Sequence, residues 1–89
     1  MNKLLIYNIY EVFFMKQKNF DTWLAIGLNI LHYRKEQGMT QMQLAERAGM
    51  SNAYIQRIET AASSCTLDTL MDIAEALRIP LKKLFEFRD

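Results

Sequence analysis

The chain has 89 residues, of which 51% are hydrophobic and 24% are charged, a composition typical of a globular protein and not of a disordered one. This length supports one small core and excludes a Rossmann domain, a barrel, or a regulator with a separate ligand-sensing domain. Eleven basic and ten acidic side chains give a formal net charge of +1, so overall charge alone does not indicate a nucleic-acid partner.

Cys65 is the only cysteine and His32 the only histidine. One thiol cannot form an intramolecular disulfide, and these two residues offer too few ligands for a zinc site. We therefore expect no metal, no cofactor and a reducing, cytoplasmic compartment. A disulfide that joins two copies through Cys65 is the less favoured alternative.

The first fourteen residues are unusually apolar, yet they are too few to span a bilayer and lack the small-residue cleavage site of a secretory signal. Their β-branched and aromatic residues predict a strand if the segment is ordered. Three roles remain open: packing on the core, pairing with its copy in a dimer, or an extension upstream of a domain that starts near Met15. We divide the chain into an apolar N-terminal extension, 1–15, and a domain, 16–89.

From Phe20 onward apolar residues recur every three or four positions, which predicts helices and no strand. The first helix is expected to end just before Gly38, with Arg34 and Lys35 in its last turn. Its apolar positions are Trp23, Leu24, Ile26, Ile30 and Leu31.

Three polar residues mark the starts of the next helices. Thr40 and Gln43 form a capping box, and Ser51 and Thr66 are good N-caps. Gly49 ends the second helix. The predicted inward positions of these helices are Leu44, Ala45, Ala48, Ile55, Ile58, Leu67, Leu70, Ile73, Ala74 and Leu77.

Pro80 ends the fourth helix and opens a last short one over 81–85. The sequence thus predicts an all-α chain of five helices, with the apolar N-terminal segment as a strand or dimer arm. No triad or carboxylate pair stands at catalytic spacing, and Ser51 has no His or Asp nearby, so we expect no enzyme.

The second and third helices meet at a tight turn. Gly49 tolerates the positive φ that such a turn needs, and Ala45 and Ala48 let the two helices approach closely. This is the helix-turn-helix arrangement, in which the second of the two helices enters a major groove of DNA.

The outward face of the third helix carries groups that suit base recognition. Asn and Gln amides pair with adenine, an Arg guanidinium pairs with guanine, and an Ala methyl meets the thymine methyl. Polar residues opposite an apolar stripe also occur on ordinary surface helices, so the face alone leaves DNA contact as one of two interpretations. The candidate base-reading residues are Asn52, Ala53, Gln56 and Arg57.

The run IGLNILHYRKEQGMTQMQLAERAGMSNAYIQRIE, followed by TLDTLMDIAEALRIPLKKLF, resembles the phage repressor and Cro-like (XRE-type) helix-turn-helix family. The resemblance covers about residues 22–87. It implies a five-helix, lambda-repressor-like bundle that regulates transcription without catalysis and binds pseudo-palindromic operators as a homodimer.

The resemblance also implies roles for single residues. Gln41 would contact phosphate and brace the recognition helix, and Arg34 and Glu59 would form a partly buried structural ion pair. Asn52, Ala53 and Arg57 fall on the family's base-reading positions, with Gln56 close by. The resemblance places Gln41, Tyr54, Thr60, Ser63 and Ser64 along the DNA backbone. We add Ser51 and the nearby basic residues Lys35 and Arg47 to these expected contacts.

One departure from the family pattern lies after the third helix. Relatives have Gly where this chain has Ala61, and Ala in a left-handed cap would cost roughly 1 kcal/mol. We therefore expect the third helix to run on into residues 61–62, or the cap to be rebuilt, and this puts the phosphate contacts of the loop in doubt.

The leading hypothesis is a sequence-specific transcriptional regulator that binds double-stranded DNA as a homodimer, acts in the cytoplasm and has no membrane contact. The dimer surface is expected at the last helix or at the N-terminal segment. The alternative is an antitoxin-type protein-interaction module on the same fold, with a toxin as partner. The last-helix surface would comprise Leu81, Leu84, Phe85 and Phe87.

Overall fold

The computed structural model describes the backbone of residues 3–87 and the side chains of residues 19–87. Within that range every regular element is helical, so the all-α prediction is confirmed. The elements are α1 (Lys3–Glu36), α2 (Gln41–Ala48), α3 (Asn52–Glu59), α4 (Leu67–Ala76) and a final 3₁₀ helix (Leu81–Phe85).

The strand predicted near the N-terminus is wrong. The backbone is helical from Lys3 and continues without a break into the predicted first helix, so α1 has 34 residues. Strand propensity is a weak preference that neighbouring structure overrides, and here the segment extends an existing helix. The predicted packing of residues 1–14 on the core lies outside the described side chains.

Helix α1 sets the length of the molecule. At 1.5 Å per residue it is about 51 Å long, and the longest dimension of the chain is 53 Å. The other helices pack on the C-terminal half of α1, where Ile26, Ile30 and Arg34 are buried. Helix α1 contacts α3 and the 3₁₀ helix, while α2 packs on α3 and α4. No helix within the described residues is both long enough and apolar enough to cross a membrane.

The helix boundaries follow from the capping residues. Thr40 Oγ1 accepts the amide of Gln43 at 3.1 Å, and Gln43 Oε1 accepts the amide of Thr40 at 2.9 Å, so the predicted capping box is present. Ser51 Oγ accepts the amide of Tyr54 at 3.1 Å at the start of α3. Each bond satisfies an amide that the first helical turn leaves without a partner.

The core lies where all four α-helices and the 3₁₀ helix converge. Leu67 was predicted to face it but is 57% exposed, because it is the first residue of α4 and lies at the rim. The largest fully buried side chains are Ile30, Leu44, Ile55, Ile58, Ile73, Leu77 and Leu84.

Gly27 marks the crossing of α1 over the end of α3. A Cβ atom at this position would lie 2.5 Å from the carbonyl oxygen of Glu59 and 2.6 Å from that of Ile58. Both neighbours are backbone atoms, so they cannot rotate away as a side chain could. The absence of a side chain at Gly27 therefore sets the distance between the two helices.

We expect Gly27→Ala to destabilise the fold by about 1–3 kcal/mol. The cost of forcing α1 and α3 apart is larger than the gain from the higher helix propensity of Ala. Urea denaturation measures this free energy of unfolding. Met71→Ala, at an exposed position of α4 away from this crossing, is the control and should change it by no more than about 0.5 kcal/mol. Equal effects of the two substitutions would contradict the close crossing.

Candidate nucleic-acid interface

The turn between α2 and α3 is closed by backbone hydrogen bonds. Gly49 has φ 71°, in the left-handed region, where a side chain is disfavoured. The amide of Met50 donates to the carbonyl of Ala45 at 2.9 Å, and the amide of Gly49 donates to that of Glu46 at 3.3 Å. Both carbonyls belong to the last turn of α2, so the turn and the helix end form one rigid unit.

Helix α3 has a buried face and an exposed face. Ile55 and Ile58 are 0% and 1% exposed. The opposite face is open to solvent, and within residues 19–87 the side chains of Asn52, Gln56 and Arg57 make no hydrogen bond. The structure therefore brings the four predicted base-reading residues together on one surface, with their polar groups unengaged. These residues are Asn52, Ala53, Gln56 and Arg57.

A buried ion pair anchors the C-terminal end of α3. Arg34 Nε and Nη2 donate to the two carboxylate oxygens of Glu59 at 2.7 and 3.0 Å, and both residues are under 10% exposed. Arg34 Nη1 donates to the carbonyl of Met39 at 2.8 Å, and Gln41 Nε2 donates to Glu59 Oε1 at 2.9 Å. One carboxylate therefore ties α3 to α1 and to the first residue of α2.

This arrangement refines the expected role of Gln41. Its side-chain amide braces α3 through Glu59, as the resemblance implies. Because one amide hydrogen is used in that bond, a phosphate would meet the second one, together with the free backbone amides at the start of α2. The residue is half-buried, which suits bracing and leaves one side accessible.

The electrostatics of the surface favour an anion. Neither α2 nor α3 has an acidic residue in its first turn, whereas α4 has Asp68 there. The partial positive charge at the start of α2 and α3 is therefore not neutralised by a neighbouring carboxylate. Between residues 51 and 66 the only charged side chains are Arg57, which is exposed, and Glu59, which is buried and paired.

The hydroxyl groups differ in what they can offer a phosphate. Ser51 Oγ accepts an amide and keeps its own hydrogen to donate. Thr60 Oγ1 donates to the carbonyl of Gln56 at 2.9 Å, and Ser63 Oγ donates to that of Ser64 at 2.9 Å. Thr60 and Ser63 would have to rotate away from these carbonyls before they could bind phosphate.

The expected continuation of α3 into residues 61–62 is wrong. The helix ends at Glu59, and Ala61 lies in the left-handed region with φ 60°. The left-handed cap is thus kept although a Cβ is present. The amides of Ala61 and Ser63 donate to the carbonyls of Ile58 and Arg57 at 3.2 Å each, which holds the strained conformation in place.

Ala61→Gly is expected to stabilise the protein by about 1 kcal/mol, since Gly removes the left-handed penalty. Thermal or urea unfolding measures the gain. Ala62→Gly is a matched control, because Ala62 has no positive φ, so that substitution should be neutral or destabilising. A loss of stability in Ala61→Gly would show that Ala61 is not strained.

Two predicted phosphate contacts lie in other surroundings. Arg47 lines a groove with Asp72 and Glu75 of α4, and its Nη1 lies 3.7 Å from the sulfur of Met39. Lys35 is exposed on the outer side of α1, beside Leu31. The structure does not bring either cation to the outward face of α3.

Tyr54 and Cys65 are both half-buried against the core. Burial raises the pKa of the Cys65 thiol to about 11, so the thiol stays protonated and weakly reactive at neutral pH. Among the side chains of residues 19–87 no group of His, Cys, Asp and Glu is clustered closely enough to hold a metal ion.

Three contributors to the geometry are absent from the predicted set. Gly27 sets the distance from α1 to α3, the carbonyl of Met39 receives Arg34, and Asn29 Nδ2 donates to the carbonyls of Leu84 and Glu86 at 2.9 and 3.2 Å. A glycine inside a helical run was a readable signal for the first. The other two use backbone carbonyls, which no sequence pattern marks.

Comparison with known proteins agrees with this geometry. A family model described as Helix-turn-helix matches residues 30–84, which is more than half of the chain and includes all of α2, α3 and α4. The chain belongs to the helix-turn-helix family of DNA-binding transcription regulators.

Individual relatives match the same region. The chain is similar to the immunity repressor protein of Bacillus phage phi105, with 38% identity over 61 residues, which cover 68% of this chain and 42% of that repressor. The chain thus spans less than half the length of that relative. The crystal structure of the restriction-modification controller protein C.AhdI from Aeromonas hydrophila matches with a TM-score of 0.70 and 25% identity, covering 71% of this chain and 96% of that one.

A third relative was solved together with DNA. The structure of SinR, the master regulator for biofilm formation, in complex with DNA matches with a TM-score of 0.65 and 31% identity. The match covers 68% of this chain and 98% of SinR. The family model begins at residue 30, so residues 3–18 of α1 lie outside it.

Glu59→Gln should destabilise the protein by about 3 kcal/mol or more, because Arg34 would lose its ionic partner while staying buried. The free energy of unfolding in urea measures the loss. Glu46→Gln, on the exposed side of α2, is the control and should have little effect. In the double variant Arg34→Met/Glu59→Leu both charges are gone, and much of the stability should return. A single variant as stable as the parent would contradict the role of the pair.

Proposed function

We propose that the chain is a sequence-specific regulator that binds double-stranded DNA, with α3 in the major groove. The exposed, unengaged amide and guanidinium groups of Asn52, Gln56 and Arg57 are the observation that carries this proposal. They extend from a helix whose other face is packed into the core, so the backbone that carries them is fixed before DNA arrives. The proposed binding domain is 16–89 and the proposed extension is 1–15, of which residues 3–15 lengthen α1.

Each outward residue has a proposed partner on the bases. Arg57 would bind guanine O6 and N7, and Asn52 and Gln56 would bind adenine N6 and N7. Ala53 would contact the methyl group of thymine. Each base pair presents its own pattern of donors and acceptors in the major groove, so these contacts would supply sequence preference.

Phosphate contacts would hold the domain in register. The first candidates are the start of α2 with Gln41, the Ser51 hydroxyl and the half-buried Tyr54. They lie next to the outward face of α3, which we call the reading face. Thr60 and Ser63 would follow after their hydroxyls turn away from the carbonyls to which they now donate, and the exposed Ser64 would join them. Lys35 and Arg47 would contribute through longer-range charge, since both face other parts of the bundle.

We propose that the binding unit is a homodimer on a pseudo-palindromic operator. One domain offers few cations to phosphate. A dimer doubles the number of phosphates neutralised, and with it the number of counterions released from DNA. Two copies would place their α3 helices about 34 Å apart, one helical turn of DNA. The last-helix dimer surface needs revision, because Leu84 is 0% exposed, while Phe85 and Phe87 remain exposed.

The decisive test starts with selection of bound duplexes from a random pool, which should return a two-fold symmetric half-site motif. On that operator, Arg57→Ala should weaken binding by about 1–3 kcal/mol and relax one base position. Lys82→Ala removes an equal charge from the 3₁₀ helix and is the control, with only a small, sequence-independent effect.

Two outcomes would overturn this function. The first is a pool that yields no motif at low salt. The second is equal weakening by Arg57→Ala and Lys82→Ala, which would make α3 a general basic surface. Binding to a co-purified protein without retention of DNA would instead favour the antitoxin-type interaction module. The domain would act in the cytoplasm.

A further inference from the structure

Helix α1 carries an apolar stripe that the bundle does not cover. It consists of Phe20, Leu24, Leu28 and Leu31, and we call it the α1 stripe. Phe20 is 45% exposed and Leu28 is 52% exposed, while Leu24 and Leu31 are half-buried. Exposed Leu and Phe side chains scattered singly are ordinary, but four in a row along one helix form a continuous apolar surface.

The α1 stripe is separate from the face that forms the core. Ile26, Ile30 and Arg34 are buried and face the bundle. At 100° per residue, the centre of the stripe is turned about 115° from the centre of that buried face. Helix α1 therefore has two apolar faces, and only one of them is occupied within the chain.

The spacing of the stripe continues into the N-terminal half of α1. Steps of three and four residues lead from Phe20 back to Gln17, Phe13, Tyr10 and Ile6. Residues this far apart share one register on a helix, and the backbone here is helical from Lys3. The positions on this face of α1 are therefore occupied by apolar residues over about 25 residues, with Gln17 as the one polar residue among them.

The N-terminal half of α1 extends beyond the bundle. The radius of gyration is 15.5 Å, against about 12 Å for a compact chain of this length. The 16 residues from Lys3 to Lys18 make about 24 Å of helix. A helix of that length, rich in aromatic and β-branched residues, is marginal in water without packing.

We propose that a second copy of this chain covers the α1 stripe, so that two α1 helices pack against each other along it. Apolar residues at three- and four-residue steps are the pattern by which paired helices interlock their side chains. A single polar residue within such a seam, here Gln17, fixes its register. A pair of identical stripes is also self-complementary, as a two-fold interface requires.

The area agrees with a dimer only if the N-terminal half takes part. A large apolar side chain buries roughly 100 Å². The four residues of the α1 stripe, already half covered, would bury too little. With the three apolar register positions before Gln17, each copy would bury roughly 500–700 Å². The total then reaches the lower end of the 1,200–2,000 Å² range of specific interfaces.

This inference deepens the proposed homodimer by naming its interface, and it can fail independently of DNA recognition. Self-association of the full chain without DNA tests the interface. Binding of one half-site duplex tests the reading face. The two measurements use different residues, so loss of one does not imply loss of the other.

Sedimentation equilibrium of the full-length chain over a range of concentrations measures the dimer dissociation constant. Leu28→Asp places a charge in the α1 stripe at an exposed position that the folded monomer tolerates. It should raise the dissociation constant about a hundredfold or more. Met71→Asp and Phe85→Asp are matched controls at exposed apolar positions on α4 and the 3₁₀ helix, and should leave it within about threefold.

A second variant tests the seam without adding a charge. Gln17→Leu completes the apolar register and should lower the dimer dissociation constant about tenfold or increase the number of copies in the assembly. Both results follow from a helix-to-helix seam. No change in mass or affinity would contradict the place of Gln17 in the interface.

Several outcomes overturn the proposal. A chain that stays monomeric up to about 100 µM has no such interface. The same holds if the monomeric chain binds lipid vesicles. A dimer that survives Leu28→Asp but dissociates in Phe85→Asp uses the 3₁₀ helix. Half-site binding should be unchanged in Leu28→Asp and lost in Arg57→Ala, while the mass of Arg57→Ala stays that of the parent. If half-site binding is absent throughout but the stripe mediates dimerisation, the proposed function fails and the interface stands.

Discussion

The position of α3 depends on one buried carboxylate. Glu59 is the last residue of an eight-residue helix, and a helix this short has no stability of its own in water. Its two oxygens receive Arg34 from α1 and Gln41 from α2. A buried ion pair gives little net stability, because desolvation offsets the attraction, but it disfavours every arrangement in which either partner is buried alone. The pair therefore selects one orientation of α3.

That constraint explains why the outward face of α3 can remain free of internal contacts. Ile55 and Ile58 hold the inner face, Glu59 holds one end, and the Gly49 turn holds the other. The outward side chains of Asn52, Gln56 and Arg57 make no hydrogen bond to the rest of residues 19–87. A surface without internal contacts can carry whatever side chains recognition requires, and here it carries amides and one guanidinium.

Much of this arrangement was predictable from local chemistry. The capping residues located the starts of α2, α3 and α4 within a residue, because each cap is a short-range hydrogen bond between groups fixed by sequence. The errors came where the neighbouring backbone overrides the preference of a single residue. The N-terminal residues have strand propensity, yet they follow the helix to which they are joined. Ala61 keeps a left-handed cap because backbone hydrogen bonds to Ile58 and Arg57 compensate for its strain.

The basic residues outside α3 were harder to place from the sequence than the side chains on α3. Asn52, Gln56 and Arg57 share a face by helical periodicity, which sequence spacing reveals directly. Arg47 and Lys35 are equally basic, but their directions depend on how α2 packs on α4 and how α1 packs on the bundle, which are tertiary facts. Spacing along one helix cannot show which side of a second helix it will meet.

The sparse charge on the reading face bears on the long first helix. One exposed guanidinium and two helix N-termini would bind DNA only weakly, since nonspecific affinity grows with the number of phosphates neutralised. Such a surface gains affinity mainly by being doubled. The same chain carries, on α1, an apolar face that a single copy leaves open to water. A monomer would therefore bind DNA weakly and leave an apolar helix face in water. Pairing two copies along α1 would double the DNA contacts and bury that face.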